Sequence, residues 1–242
     1  MKSPASTSIR IRMLLSSESE AGSMAATVKL LSTGSEIDVE ATFAEELRLA
    51  CRLPVNNLVG YSGEPLGLTD IDIDQMIERE ISRCRRLFEK QLPMHPVRWA
   101  SMTAQNGDGR SESESIEIVA VASKSTLAGR TATKALEDAL AAGKAVLAIP
   151  RDLRALRTNV TLLTSGERPS QRALELGRRL SDQAQNELEW RPAHASSVIS
   201  TLISGGNDGL LIIELASGEL GGETIDRILT SAKSPVLLLA RE

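Results

Sequence analysis

The side chains best suited to nucleophilic or metal chemistry are few in this chain and lie far apart in the sequence. Ser123 and Lys124 are adjacent, a pairing that could supply a hydroxyl nucleophile and an amine base. Serine and threonine are also common at strand-to-helix turns, and a turn is the preferred interpretation of residues 123–126. His95 and His194 have no neighbours at metal-ligand spacing, so we interpret both as surface or turn residues. We therefore predict no catalytic residue, no metal site and no enzymatic activity.

The two cysteines, Cys51 and Cys84, form no spacing motif. Their scarcity predicts reduced thiols and a cytoplasmic location. Cys84 falls with Ile77, Ile81 and Phe88 on one face of a predicted helix. We expect this thiol to be buried in the core and not to act as a nucleophile.

Composition excludes several classes of function. The net charge is −4 and aromatic residues are only 2% of the chain, which argues against a basic nucleic-acid-binding face and against base-stacking platforms. No apolar run approaches the roughly 18 residues needed to cross a bilayer, so we expect no direct membrane insertion. Hydrophobic residues make up 41% of the chain, enough for two cores or one shared core.

Hydrophobic periodicity predicts alternating strands and helices. Residues 9–15 and 37–43 alternate between apolar and polar side chains, as strands do, and a helix is predicted between them over residues 21–33. A long helix is predicted to start at Thr69 or Asp70 and is followed by a strand at 97–103. The acidic run at 112–114 and the basic Arg83, Arg85 and Arg86 face are interpreted as solvated surfaces.

A strand–helix–strand pattern then occurs twice, at residues 116–151 and 209–241, and a further strand and helix occupy 160–184. Crossovers of this length predict parallel pairing, and unbroken apolar runs predict strands covered on both faces. The predicted fold class is therefore α/β, with two tandem Rossmann-like units whose mainly parallel sheets are covered by helices. The predicted domains are residues 1–150 and a shorter unit at 158–242.

This organisation resembles the universal stress protein family. VTLLTSGERPSQRALELGRRLS, from Val160, is similar to the opening strand, turn and first helix of that family, and GGETIDRILTSAKSPVLLLAR, from Gly221, is similar to its closing helix and strand. The resemblance implies a binding or regulatory module that forms a homodimer or contacts a partner protein and acts in the cytoplasm.

The resemblance also implies where a nucleotide such as ATP or AMP would bind. Family members that bind nucleotides carry an aspartate at the end of the first strand and a glycine loop whose backbone N–H groups approach phosphates. Here the aspartate position holds Thr164, with Ser16 in the first unit, and the glycine loop is reduced to Gly218, Gly221 and Gly222. In the first unit Gly129 is the only glycine of the turn.

Glu223 stands where the family has serine or threonine and would place a negative charge beside a phosphate. Losing one charged hydrogen bond weakens binding by roughly 10- to 100-fold. We therefore predict a degenerate motif and no bound cofactor.

A second resemblance offers an alternative function. The cytosolic C-terminal regions of cation–chloride cotransporters and related amino-acid/cation transporters contain two similar units without the nucleotide motif. SIRIRMLLSSESEAGSMAATVKLLSTGSEIDVEATF, from Ser8, resembles a unit start in those regions. It implies a regulatory domain that works through a transmembrane transporter domain in the same chain, whereas the first resemblance implies contacts with a second copy or with a partner protein.

Overall fold

A computed structural model describes residues 9–15, 17–32, 37–43, 70–94, 96–100, 116–123, 130–150, 153, 159–183, 188–193, 197 and 209–241. In chain order the elements are β1 (Ile9–Leu15), α1 (Glu18–Leu31), β2 (Ile37–Phe43), α2 (Asp70–Gln91), β3 (Val97–Ala100), β4 (Ile116–Ser123), α3 (Arg130–Ala141), β5 (Ala145–Pro150), β6 (Val160–Thr164), α4 (Gln171–Gln183), β7 (Glu189–Pro192), β8 (Leu210–Ala216), a short 3-10 helix (Ser217–Glu219), α5 (Gly222–Ser231) and β9 (Val236–Arg241).

These strands form one sheet in the order β3-β2-β1-β4-β5-β9-β8-β6-β7. Neighbouring strands are parallel at every position except β5 and β9, which are antiparallel. The sheet therefore consists of a first parallel run, β3-β2-β1-β4-β5, and a second parallel run, β9-β8-β6-β7. Because the two runs point in opposite directions, their carboxyl ends lie at opposite edges of the sheet.

Helices cover both faces of this sheet, which confirms the predicted α/β class. Helices α1, α2 and α4 pack on one face, called the first face below, and α3 and α5 pack on the second face. The core of each face contains residues of both runs: Ile11 and Leu162 share the first face, and Val146 and Ile213 share the second. The cores are thus continuous across the β5·β9 junction.

The hydrophobic pattern accounts for most of these elements. In β1 the odd-numbered residues are fully buried on the first face while Arg10 and Arg12 lie on the other side of the strand. All six residues of β5 are buried, and so are Leu210–Leu215 in β8. Such unbroken burial is what a strand covered on both faces requires, and it confirms that prediction.

Three details differ from the predictions. The strand β7 was not predicted, because its four residues are all exposed and carry no apolar alternation. The antiparallel β5·β9 pair was not predicted either. Helix α1 begins at Glu18, earlier than the predicted residue 21, and ends at Leu31. Of the strand predicted at 97–103, the structure describes Val97–Ala100, and the rest lies outside the described residues.

Candidate functional site: the crevice between β6 and β8

The second parallel run contains a point where the chain reverses its direction of travel across the sheet. From β6 the chain passes through α4 to β7 on one side, and it later enters β8 on the other side of β6. In open α/β sheets, ligands bind outside the carboxyl ends of the strands at such a switch point. The carboxyl ends of β6 and β8, called the β6/β8 crevice below, are therefore the place to look for a site.

Thr164 ends β6 and lies inside this crevice. Its side chain is fully buried, and its hydroxyl donates a 2.8 Å hydrogen bond to Oε2 of Glu214 on the neighbouring strand. The same hydroxyl oxygen accepts a 3.3 Å hydrogen bond from the backbone N–H of Gly166. The residue at the predicted aspartate position thus binds another side chain of the protein.

Glu214 is a charged residue in the middle of the core, with only 1% of its surface exposed. Besides the Thr164 hydroxyl, it accepts the backbone N–H of Ser170, at 3.2 Å to Oε1 and 3.1 Å to Oε2. Burying a carboxylate is costly unless donors satisfy it, and charge-assisted bonds of this kind are the strong ones. Glu214 is therefore held in place by the end of β6 and by the residue that precedes α4.

Ser170 also ties this carboxylate to the start of α4. Its hydroxyl accepts the backbone N–H of Ala173 at 3.2 Å, which makes it the N-cap of the helix. The amino end of a helix attracts anions through its dipole and free N–H groups. At α4 that anion is the carboxylate of Glu214, so the protein supplies its own negative charge where a ligand phosphate could otherwise sit.

Backbone and hydroxyl bonds close the mouth of the crevice. The N–H of Ser165 donates to the carbonyl of Glu214 at 3.0 Å, and the hydroxyl of Ser165 accepts the N–H of Ala216 at 3.1 Å. On the other side, the N–H of Ala193 donates to the carbonyl of Thr164 at 2.8 Å. The first two bonds hold the ends of β6 and β8 together, and the third joins the end of β7 to the end of β6.

Arg241, at the end of β9, reaches across to the same region. A Cβ at position 166 would overlap its guanidinium group, so a larger residue there would require the Arg241 side chain to move. Nη1 of Arg241 is buried and has no hydrogen-bond partner among the described residues, while the backbone carbonyl of Arg241 accepts the hydroxyl of Ser217 at 3.0 Å. The guanidinium therefore covers the β6–α4 turn.

The predicted glycine loop follows β8 but leads to the opposite face of the sheet. Gly218 lies in the 3-10 helix, Gly221 is the N-cap of α5 with φ −72° and ψ 162°, and Gly222 is the first residue of α5. A Cβ at Gly218 or Gly221 would meet nothing within 4 Å, so neither position needs glycine for steric reasons. Since α5 packs on the second face, this loop leads away from the first face, on which Leu162, two residues before Thr164, is buried.

Glu223 is exposed and forms an ion pair with Arg227 one turn further along α5, with 2.6 Å between Nη2 and Oε1. Its carboxylate thus lies along its own helix. Its repulsion of a phosphate stays a prediction from the sequence.

Cys84 occupies the core of the first face, which confirms the prediction that it is a buried thiol. Burial, together with the carboxylates of Glu80, Glu18 and Glu20, raises the pKa of the Cys84 thiol to about 12. A thiol with such a pKa is protonated at neutral pH and is a poor nucleophile.

Several other predicted positions lie outside the described residues: Ser16, Cys51, His95, residues 112–114, Lys124–Thr126, Gly129 and His194. Ser123 ends β4, and nothing is described of its side chain.

Sequence reasoning missed Glu214, Ser170 and Arg241. The one available signal was Glu214 itself, a single charge within the apolar run Leu210–Ala216. A charge inside a strand covered on both faces must find donors, and that requirement could have directed attention to the adjacent β6–α4 turn.

Across the described ranges, no cluster of three or more His, Cys, Asp or Glu side chains is placed to bind a metal ion. No helix in these ranges is both long and apolar enough to cross a membrane. No protein-family model matches this chain, and no curated protein matches it either.

Proposed function

We propose that this chain is a non-catalytic binding and regulatory module of the universal stress protein type, with two tandem units and a crevice that no longer takes a nucleotide. It acts in the cytoplasm through contacts with a second copy or with another protein. The observation that carries the proposal is the buried carboxylate of Glu214 inside the β6/β8 crevice.

The strand order supports the tandem arrangement. In the first run the chain enters β1, moves out to β2 and β3, and returns past β1 to β4 and β5; in the second run it enters β6, moves out to β7, and returns to β8 and β9. Helices α1 and α4, which follow the first strand of each run, both lie on the first face, and α3 and α5, which precede the last strand, both lie on the second. Two tandem units related by an approximate two-fold axis through the β5·β9 junction would give this correspondence.

Glu214 supports the loss of nucleotide binding. A phosphate group at the start of α4 would have to displace the carboxylate from Ser170, or would bind beside it against like-charge repulsion. Displacing it also breaks the bond from Thr164 and leaves a buried, unpaired charge, which typically costs about 3–5 kcal/mol. That cost is a large part of the roughly 8 kcal/mol that corresponds to micromolar affinity.

Calorimetric titration of the full chain with Mg-ATP and with AMP tests this proposal. We expect no saturable heat up to about 1 mM ligand, equivalent to a binding free energy weaker than about −4 kcal/mol. The Glu214→Gln variant removes the charge but keeps an acceptor, and any weak binding that it gains would support the role of this carboxylate.

Glu219→Gln is the matched control, because Oε2 of Glu219 also accepts a backbone N–H at the same edge, that of Ala216 at 3.1 Å. It should remain as inert toward nucleotides as the unchanged protein. Micromolar binding of ATP or AMP by the unchanged protein would refute the proposal.

A further inference from the structure

A row of four positive charges runs along the exposed side of α2. The spacing of four, three and four residues places them on one helical face, and every one of them is exposed. This α2 basic stripe consists of Arg79, Arg83, Arg86 and Lys90. It stands out in a chain whose net charge is −4.

A groove of about 410 Å³ runs beside this stripe, between α2 and the start of α1. It is lined by Glu18, Arg83, Arg86, Leu87, Lys90 and Gln91. Leu87 is half-buried and gives the groove an apolar floor. Of the residues that the structure describes, three cations and one carboxylate therefore border this groove.

Glu80 and Glu89, the acidic residues of α2 nearest these cations in sequence, do not neutralise the groove. Glu80 uses Oε1 to accept the backbone N–H of Glu18 at 2.6 Å and places Oε2 at 3.6 Å from Nη1 of Arg83. Glu89 lies on another side of the helix and lines a different groove with Arg85 and Trp99. Among the described residues, the ion pair of Glu80 with Arg83 lies at the end of the groove near Arg83. An excess of positive charge therefore remains at the other end, near Arg86 and Lys90.

We infer that this groove binds an extended acidic segment of a partner protein. The inference goes beyond the proposed function, because the groove lies on α2, in the first parallel run, and does not depend on the β6/β8 crevice. The positive charges of the groove favour carboxylates in the bound segment, and the apolar surface of Leu87 favours an aliphatic side chain.

The dimensions favour alternating acidic and aliphatic residues. Arg83 and Lys90 are separated by about 10 Å along the helix axis, at 1.5 Å per residue. Alternate side chains of an extended chain point the same way and repeat about every 6.6 Å. Two or three acidic residues on one side of the segment therefore span the cations, and the residues between them point the opposite way.

Exposed ion pairs are weak, and this limits the expected affinity. Each pair contributes at most about fivefold, so three pairs together contribute up to about 100-fold. Binding should also weaken as salt is raised, because screening shortens the range of these charges.

Fluorescence anisotropy with a labelled eight-residue peptide of alternating Glu and Val tests the inference. We expect saturable binding at low salt and none with the matched peptide of alternating Gln and Val. The triple variant Arg83→Gln, Arg86→Gln, Lys90→Gln should bind about 10- to 100-fold more weakly while keeping the circular dichroism spectrum and melting temperature of the unchanged protein.

A second triple variant controls for net charge. Arg168→Gln, Arg178→Gln, Lys233→Gln removes the same number of positive charges from exposed positions outside the groove, and its affinity should stay within twofold. An equal loss in both triple variants would overturn the inference, because net charge would then explain the binding.

Three other results would also overturn it. The first is no peptide binding at low salt up to about 1 mM, weaker than about −4 kcal/mol. The second is binding to phosphatidylserine vesicles, but not to the peptide, that depends on the α2 basic stripe. The third is self-association of the protein that the stripe variant abolishes, which would make a second copy the occupant.

Discussion

Replacing Thr164 with valine tests the central contact of the β6/β8 crevice. The change keeps the shape of a fully buried side chain but removes its hydroxyl. The 2.8 Å bond to Glu214 is lost, and so is the acceptor for the N–H of Gly166. A hydrogen bond to a charged group is worth about 1.5–3 kcal/mol, so we expect the free energy of unfolding to fall by about 2–3 kcal/mol.

For a chain of this length, each kcal/mol lowers the melting temperature by about 2–4 °C, which predicts a decrease of about 4–12 °C. Urea unfolding at pH 7, followed by circular dichroism, should show a lower midpoint with an unchanged slope. Thr230→Val is the matched control, since the hydroxyl of Thr230 is exposed and donates to the carbonyl of Asp226 in its own helix. It should change the stability by less than about 0.5 kcal/mol.

A double-mutant cycle separates the hydroxyl–carboxylate bond from the rest of the substitution. In a Glu214→Gln background the valine at position 164 should cost less than in the unchanged protein, because the charged acceptor is already gone. If Thr164→Val were as neutral as the Thr230 control, or if the two substitutions were simply additive, the description of Glu214 as a carboxylate held by Thr164 would be wrong.

Three further predictions concern other parts of the molecule. Gly143 has φ +73°, so Gly143→Ala should lower stability by about 1–2 kcal/mol in urea titrations, whereas Gly218→Ala, with open space around it, should cost far less. In a Cys51→Ser background, Cys84 should react with iodoacetamide at pH 8 only after unfolding, because its pKa is about 12 in the folded chain; rapid labelling of the native protein would contradict this. A hydrogen bond from Lys144 lowers the pKa of Glu117 below its ordinary value. The ion pair therefore stabilises the folded protein fully above the ordinary pKa of glutamate, and this stabilisation is lost as the pH falls through the lowered pKa of Glu117. Urea titrations of Glu117→Gln should thus show a loss of about 0.2–1 kcal/mol at pH 7 that disappears at acid pH.

The sequence predicts those parts of the fold in which the pattern of apolar and polar side chains indicates which residues are buried. The strand at 37–43 and the start of α2 at Asp70 coincide with the structure, because the local sequence pattern indicates both. The strand β7 escapes prediction because it is a short edge strand: its side chains are exposed, and its position depends on backbone pairing with β6. Trp190, for example, is 43% exposed and marks no face of the core.

The sequence predicts one of the two central residues of the β6/β8 crevice, Thr164, but not its partner Glu214. Family resemblance pointed to Thr164, which lies at the end of β6 as expected. The partner of Thr164 is 50 residues away on β8, and no short-range pattern connects the two positions. Their contact depends on the pairing of β6 with β8, in which Thr164 stands opposite Glu214.

The β5·β9 junction joins the two predicted sequence units, residues 1–150 and 158–242, through continuous hydrophobic cores. Only three residue pairs form this antiparallel contact, between Val146–Ala148 and Val236–Leu238. The hydrophobic cores nevertheless continue across it on both faces, and Arg172 of α4 donates a hydrogen bond to the carbonyl of Gly143, just before β5. Separating the runs would expose apolar surface on both faces, at about 25 cal/mol per Å². The two sequence units therefore depend on each other for burial, and a partner that binds one run acts on a core that the other run shares.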